Sequence, residues 1–353
     1  MTSFTINGRF YGQAVTGVQR YGRELLSQMD RLLPQRGQSA QLIVPTSVTA
    51  LPTFRSITVR RIAGASGHVW EQTLVPLRAG KPLLNLGNTA PLAIRRQVVC
   101  IHDANVFDAP ESYSPAFGLF YRGLLPALAH RSAAITSVSE FSAARLGECL
   151  GIPARSITVA SNGHEHVLRW DAAASALGER LSGIRPFVLL LGSRALHKNV
   201  GFILRQAQAL DALGLDLVVA GGSADIFAQT EAVAASNIHQ LGFVTDDDLA
   251  WLYSHALCLA FPSRSEGFGI PLVEAMALGC PIVASDQSCL PEICGDAALL
   301  AGPDDAPAWL AHMRALATSP DLRDELRGRG RMRVKAFSWA LCAQIYLDLM
   351  RTL

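Results

Sequence analysis

The stretch from Ser263 to Pro281 (Ser-Arg-Ser-Glu-Gly-Phe-Gly-Ile-Pro-Leu-Val-Glu-Ala-Met-Ala-Leu-Gly-Cys-Pro) constrains this chain more than any other. It follows Ala256–Pro262, a short apolar run of the kind that forms a buried strand. Glu266 and Glu274 bracket a loop whose Gly267 and Gly269 permit strained backbone angles and close approach to a ligand. Pro271 suits the first position of a helix, Gly279 its end, and Pro281 the residues just past it. Glu274 then falls in the first turn, where a carboxylate complements the helix dipole. Residues 281–285 read as the next strand. The unit is strand–loop–helix–strand, with its loop at the carboxyl end of a parallel strand, where open α/β sheets bind ligands. A helix start offers unpaired N–H groups to a phosphate. A carboxylate one turn further in can accept hydrogen bonds from a ribose, and Glu266 in the loop can reach a sugar. The pattern therefore suits a nucleotide-sugar, although each glutamate alone is also compatible with an ordinary acid near a helix start.

The 353 residues leave room for two domains, and 50% hydrophobic against 17% charged content supports a large core. Aliphatic strands alternate with helical stretches, which indicates the α/β class. The balance of 31 basic and 29 acidic residues gives +2 and offers no footprint for nucleic acid. Seven cysteines, several inside apolar runs (Cys100, Cys258, Cys280), read as buried free thiols. Cys289 and Cys294 lack the partners of a zinc site. The start, Met1-Thr2-Ser3-Phe4, has no signal pattern, and no apolar run reaches the length of a membrane span. A cytoplasmic chain is expected.

Strands are expected at 4–6, 41–44, 57–62, 83–86, 98–101, 134–138 and 157–160. In the second half they are expected at 186–192, 216–220, 238–241, 281–285 and 299–300. Helices are expected from Gly17 to about Met29, from Gly67, over 116–130, after Ser139, from Asn199 to about Leu210, from Asp246 to near His255, and from Trp339 to Leu353. Residues 171–183 read as the link between halves. Gly221-Gly222-Ser223 follows a strand without completing a dinucleotide fingerprint.

The form Glu-Gly-Phe-Gly-Ile-Pro-Leu-Val-Glu-Ala-Met-Ala resembles the signature of the family-4 retaining glycosyltransferases of GT-B fold. Further matches run along most of the chain: Gly17-Val18-Gln19-Arg20-Tyr21, His102-Asp103, Val138 to Ser142, Asn162-Gly163, Gly192-Ser193-Arg194, His197-Lys198-Asn199 and Leu290-Pro291-Glu292. Their order is similar to that of the bacterial mannosyltransferase-like branch. The resemblance implies two Rossmann-like domains with parallel sheets facing across a cleft. Residues 1–170 would form the acceptor-side domain, with the helix 338–353 crossing back onto it, and 184–335 the nucleotide-sugar-binding domain.

The resemblance also implies roles. Arg194 and Lys198 become the cations that grip the donor diphosphate, where fixed positive charge stabilises a departing phosphate. His102 lies beside the transferred sugar, and Asp103 orients it or serves the acceptor side together with Arg20. Gly17 approaches the diphosphate; only Thr16-Gly17 is present where many relatives carry a richer glycine loop. Gly267, Phe268, Gly269 and Ile270 join Glu266 and Glu274 around the donor, while Phe243 and Val244 lie on the nucleotide base through backbone groups. Each of these residues also has an ordinary reading as a surface cation, cleft-wall histidine or loop former.

No residue stands out as a covalent nucleophile. The implied reaction is front-face substitution with retention and no metal or other cofactor, the nucleotide-diphosphate sugar being a substrate. GDP-mannose is the favoured donor, with UDP-glucose or another hexose donor open. The acceptor class is a glycan or polyprenyl-diphosphate-linked oligosaccharide of bacterial surface polysaccharide assembly. The apolar 116–130 helix, near Arg122, His130 and Arg131, reads first as a helix packed on its own sheet and alternatively as a peripheral contact with the inner membrane. A nucleotide-sugar epimerase of similar fold and a non-catalytic sugar-nucleotide-binding protein are the competing readings.

Overall fold

A computed structural model describes residues 2–80, 82–222 and 235–353; Ser223 of the Gly-Gly-Ser turn lies outside them. The chain divides into two compact units, residues 1–163 with 338–353, and residues 164–337. Residues 164–183 belong with the second unit. Asp171 N donates to Asp247 Oδ1 at 2.8 Å and Ser175 Oγ to Asp248 Oδ1 at 2.6 Å, which docks the stretch read as a link onto the helix Asp246–His255.

In the first unit the strands β1 (Thr2–Asn7), β2 (Gln38–Pro45), β3 (Ile57–Ile62), β4 (Leu83–Asn85), β5 (Gln97–Cys100), β6 (Ala134–Ser137) and β7 (Ile157–Val159) form one parallel sheet. Their order is β3-β2-β1-β4-β5-β6-β7. The chain builds outward from β1 on one side and returns to start β4 on the other, so the sheet has a switch point between β1 and β4. Leu124, Leu125 and Leu128 of the helix Pro115–Arg131 pack with Val99, Ile101 and Leu146 under one part of the sheet, and Trp70 with Ile43 and Leu83 under another. The expected helix from Gly67 runs on to Arg78 but widens to a π-turn over Trp70–Leu74.

That turn delivers Glu71 into a buried polar cluster beside the switch point. Asn7 Nδ2 donates to Glu71 Oε1 at 2.8 Å and to Asn85 Oδ1 at 3.0 Å. Arg9 Nε donates to Glu71 Oε1 at 3.1 Å, and Thr89 Oγ1 to Glu71 Oε2 at 2.7 Å. Burial alone would raise the Glu71 pKa, but the His68 imidazole 3.4 Å from Oε2, the charge of Arg9 and hydrogen bonds from Thr89 and Asn7 outweigh it and hold it below the ordinary carboxylate value.

The helix Trp339–Thr352 closes this unit. Ser338 caps it, its Oγ accepting from Ala340 N at 3.2 Å, and Trp339, Cys342, Ala343, Tyr346, Leu347 and Met350 form its buried stripe. Tyr21 OH donates to Tyr346 OH at 2.9 Å, and Gln38 Nε2 to Leu347 O at 3.0 Å.

In the second unit β8 (Phe187–Leu191), β9 (Asp216–Ala220), β10 (Ile238–Gly242), β11 (Cys258–Phe261), β12 (Ile282–Ser285) and β13 (Leu299–Ala301) form a second parallel sheet in the order β10-β9-β8-β11-β12-β13. Its switch point lies between β8 and β11. Val188, Leu190, Leu217, Val219, Cys258 and Ala260 of its strands pack with Trp309, Met313 and Leu316. The helix expected from Asn199 to Leu210 is broken into Val200–Leu204 and Ala207–Ala212. Three consecutive residues, Phe202, Ile203 and Leu204, are buried, more than one stripe of a straight helix provides.

Two helices, Ala306–Thr318 and Pro320–Arg333, have no counterpart in the sequence expectations. Asp305 and Ser319 cap them, each just ahead of a proline near the helix start. Arginines of the second helix terminate three others. Arg323 Nη1 donates to Leu316 O at 2.5 Å, Arg327 Nε to Gly279 O at 3.2 Å, and Arg333 to the carbonyls of Ile293 (3.0 Å) and Glu292 (2.5 Å). These are the last carbonyls of helices, which lack partners within their own helix. All seven cysteines are free, and burial pushes the Cys280 and Cys294 thiols up to about 12.

The Glu71 cluster makes a stability prediction. Glu71→Gln keeps the shape but leaves the buried Arg9 charge uncompensated, and should destabilise the protein by about 3 kcal/mol in urea unfolding at neutral pH. The folded Glu71 pKa is depressed, so its contribution is complete above the unfolded value and disappears as pH falls through the folded one. The gap between wild type and variant should accordingly narrow in acid.

Candidate functional site

In the second unit, Arg194, Lys198 and Glu266 lie on the loops beyond β8 and β11, at the switch point of the sheet. All four residues of β11 are buried. The chain leaves it through Pro262 and Ser263, and Gly269 takes φ +87°, a left-handed conformation open to glycine. A Cβ there would also lie 3.0 Å from Leu272 Cδ1. The helix starts at Ile270, so Pro271 occupies its second position rather than its first. Gly279 ends it at φ +73°.

Glu266 lies in this loop, 7% exposed. Its backbone is clasped by the turn after β12: its N–H donates to Ser288 Oγ at 3.2 Å, and its carbonyl accepts from Cys289 Sγ at 3.3 Å. Its carboxylate receives Lys198 Nζ on both oxygens, at 2.6 and 2.7 Å. Lys198 closes the 3-10 turn Leu196–Lys198 beyond β8, and Asn199 at φ +53° then turns the chain into the next helix. Arg264 N donates to His197 O at 2.7 Å, so the two loops are joined through backbone as well. Arg194, exposed, lies in the same loop as Lys198.

Glu274 is not in the first turn of its helix, which contains no acid; it is the fifth residue. It is 4% exposed and is satisfied by side chains rather than by the helix dipole. His166 Nε2 lies 2.9 Å from Oε1, and Tyr253 OH donates to Oε2 at 3.1 Å. Neither partner is anticipated in the sequence reading. The Phe268 ring is 3% exposed and packs edge-to-face on Phe337 at 5.3 Å, which places it beneath the loop. Gly267 and Ile270 are buried beside it. Phe243 and Val244 follow β10, two strands out from β8, where Gly242 takes φ +70°. Phe243 is 90% exposed, an unusual state for a phenyl ring.

The remaining candidates lie in the first unit. His102 follows β5 and is 5% exposed. Its Nε2 lies 2.9 Å from Leu86 O, which only accepts, so this nitrogen carries the proton. The Tyr21 ring meets the imidazole edge-on at 4.7 Å. Burial favours the neutral ring, but the Cys100 sulfur and the Leu86 carbonyl outweigh it and raise the His102 pKa. Asp103 Oδ1 accepts from Asn105 N at 2.9 Å, shaping the turn after the histidine. Gly17 is the first residue of the helix Gly17–Leu32, which Thr16 and Gln19 cap, and Arg20 N donates to Thr16 O at 2.9 Å.

Among the described residues no group of three or more His, Cys, Asp or Glu side chains is arranged to hold a metal, and no helix is long and apolar enough to cross a membrane.

Residues 185–319, which hold Arg194, Lys198, Glu266 and Glu274, match the family described as glycosyl transferases group 1. The chain is 29% identical over 263 residues to O-antigen chain mannosyltransferase B of Escherichia coli, covering 71% of this chain and 69% of that protein. It is 26% identical over 242 residues to O-antigen chain mannosyltransferase RfbU of Salmonella typhimurium, covering 66% of this chain and 64% of that protein. Sucrose-phosphate synthase of Thermosynechococcus elongatus has the same fold, with a TM-score of 0.75 at 19% identity over 100% of this chain and 99% of that one. The chain therefore has the GT-B fold and is a relative of the group 1 glycosyltransferases and of bacterial mannosyltransferases.

Gly269 gives a local test. Gly269→Ala forces an L-residue into the left-handed region and should lower stability by about 1–2 kcal/mol, read as a reduced Tm, before any effect on ligand is considered.

Proposed function

We propose that this chain is a retaining hexosyltransferase that moves a sugar, mannose in the favoured case, from a nucleotide-diphosphate donor to a glycan or polyprenyl-diphosphate-linked acceptor in bacterial surface polysaccharide assembly. One observation carries the reading: the Glu266–Glu274 loop and helix start stand at the switch point of a parallel sheet, with Lys198 from the neighbouring strand's loop on Glu266. Such a point is where phosphorylated ligands meet helix N–H groups. The names of the two bacterial relatives, both mannosyltransferases, support mannose, and GDP-mannose is the donor we favour.

In this reading the donor diphosphate lies at the N-terminus of the helix Ile270–Leu278 and shares the charges of Arg194 and Lys198. Gly17 approaches the same diphosphate from its own helix start. Negative charge builds on the phosphate as the bond to the sugar breaks, and fixed cations lower that barrier. Glu266 faces the hexose and stabilises charge near the reacting carbon. Glu274 accepts from the ribose, and the loop at Phe243 and Val244 lies on the base. His102, its Nε2 engaged with Leu86 O, offers Nδ1 to a sugar hydroxyl. Asp103 and Arg20 serve the acceptor side. The acceptor hydroxyl attacks from the face the diphosphate leaves, a phosphate oxygen takes its proton, and no metal takes part. We place the enzyme in the cytoplasm, in peripheral contact with the inner membrane where its acceptor is lipid-linked. The first unit, residues 1–163 with 338–353, is proposed as the acceptor side and the second, residues 164–337, as the donor side.

A thermal-shift and calorimetric screen of GDP-mannose, UDP-glucose and related donors tests the core of this reading, since a ligand stabilises the state that binds it. GDP-mannose should raise Tm most, and mannose should appear in product with retained configuration. Donor turnover without an acceptor would favour an epimerase, and binding without any turnover would favour a non-catalytic protein. Glu274→Ala should raise donor KM, and unchanged kinetics would remove the ribose contact. Arg194→Ala should lower kcat by about tenfold or more; an effect on acceptor affinity alone would reassign that residue.

A further inference from the structure

Glu274 sits among buried neighbours: Leu272, Val273, Ala275 and Met276 of its own helix. A carboxylate withdrawn from water needs polar partners, and those it has are themselves fully buried. His166, 0% exposed, comes from the 3-10 turn Glu165–Arg169, and its ring meets Trp170 edge-on at 5.3 Å and 73°. Tyr253, also 0% exposed, comes from the helix Asp246–His255. Two segments outside its own helix thus reach one carboxyl group, His166 at Oε1 and Tyr253 at Oε2. Well-packed apolar side chains of similar volume are commonly at least as stable as such a buried polar group. What the arrangement does supply is direction. Each carboxylate oxygen has two acceptor sites; with a buried donor on each oxygen, the plane of the group is fixed and its orientation is set.

We propose that His166 and Tyr253 are positioning residues that lock the Glu274 carboxylate in the orientation that receives the ribose hydroxyls of the donor nucleotide. The proposal rests on the ribose role given to Glu274 above. A glutamate free to rotate would lose side-chain freedom on binding, and a clamped one has lost it already. His166 holds the tighter position, since its ring is fixed by Trp170 and its Nε2 donates directly to Oε1.

The test crosses protein variants with ligand variants on the full-length chain. Kd is measured by calorimetry for GDP and UDP and for their 2′,3′-dideoxy counterparts. Wild type should bind the ribonucleotide it accepts about tenfold or more tightly than the dideoxy form, as expected for two hydroxyls on a charged acceptor. In His166→Leu this ratio should fall to about threefold or less. His166→Gln, whose side-chain amide nitrogen reaches the place of Nε2, should keep most of it; His166→Asn, whose amide falls short, should not. Tyr253→Phe should reduce the ratio while leaving the fold intact, and decides the matter if His166→Leu does not fold. A histidine that only fills space would weaken both ligands alike, so an unchanged ratio in His166→Leu or in Tyr253→Phe overturns the proposal. Wild type with a ratio near one would instead refute the ribose role of Glu274, and the clamp would fall with it.

Discussion

The second unit depends on one meeting of loops. The segments after β8 and β11 are neighbours because the sheet reverses its building direction between those strands. There the Lys198 ammonium lies on both oxygens of Glu266, and Arg264 N reaches His197 O. Neither contact follows from local sequence, because the partners are 68 residues apart in one case. Both follow from topology: two parallel strands side by side must end side by side. The positive φ of Gly269 then turns the loop into the helix Ile270–Leu278.

The two glutamates of the motif occupy different surroundings despite their short separation. Glu266 is held by its backbone through Ser288 and Cys289, and its carboxylate meets a half-exposed cation. Glu274 is held by its carboxylate, between an imidazole and a phenol in the interior. In the first pair the cation is partly in water, so Lys198 can turn toward a ligand phosphate more readily than a fully buried partner could. The second has no such freedom. One motif therefore carries an adaptable acid and a fixed one.

Much of this architecture was legible in the sequence because it is written locally. Strands such as 187–191 and 258–261 are continuous apolar runs, as buried parallel strands must be. Gly279 and Ser139 mark helix ends by backbone and capping chemistry that involves only near neighbours. The misses have physical reasons too. Glu274 lies deeper in its helix than the position of Pro271 implied, because Ile270 already takes helical geometry. His166 is separated from Glu274 by 108 residues, and a histidine in a polar-looking run gives no sign of being fully buried. The helices at 306–318 and 320–333 are rich in alanine and arginine, and while Arg314, Arg329 and Arg331 are exposed, Arg323, Arg327 and Arg333 reach carbonyls of other helices, which no local pattern announces.

Those arginines bear on how the protein can be divided. The stretch that matches the glycosyltransferase family stops at residue 319, whereas Arg323, Arg327 and Arg333 lie beyond it. A fragment cut at that boundary would strip the stoppers from three helix ends at once, one of them the far end of the helix that carries Glu274. A fragment meant to keep those three helix ends capped has to run through Arg333, beyond the region of family likeness.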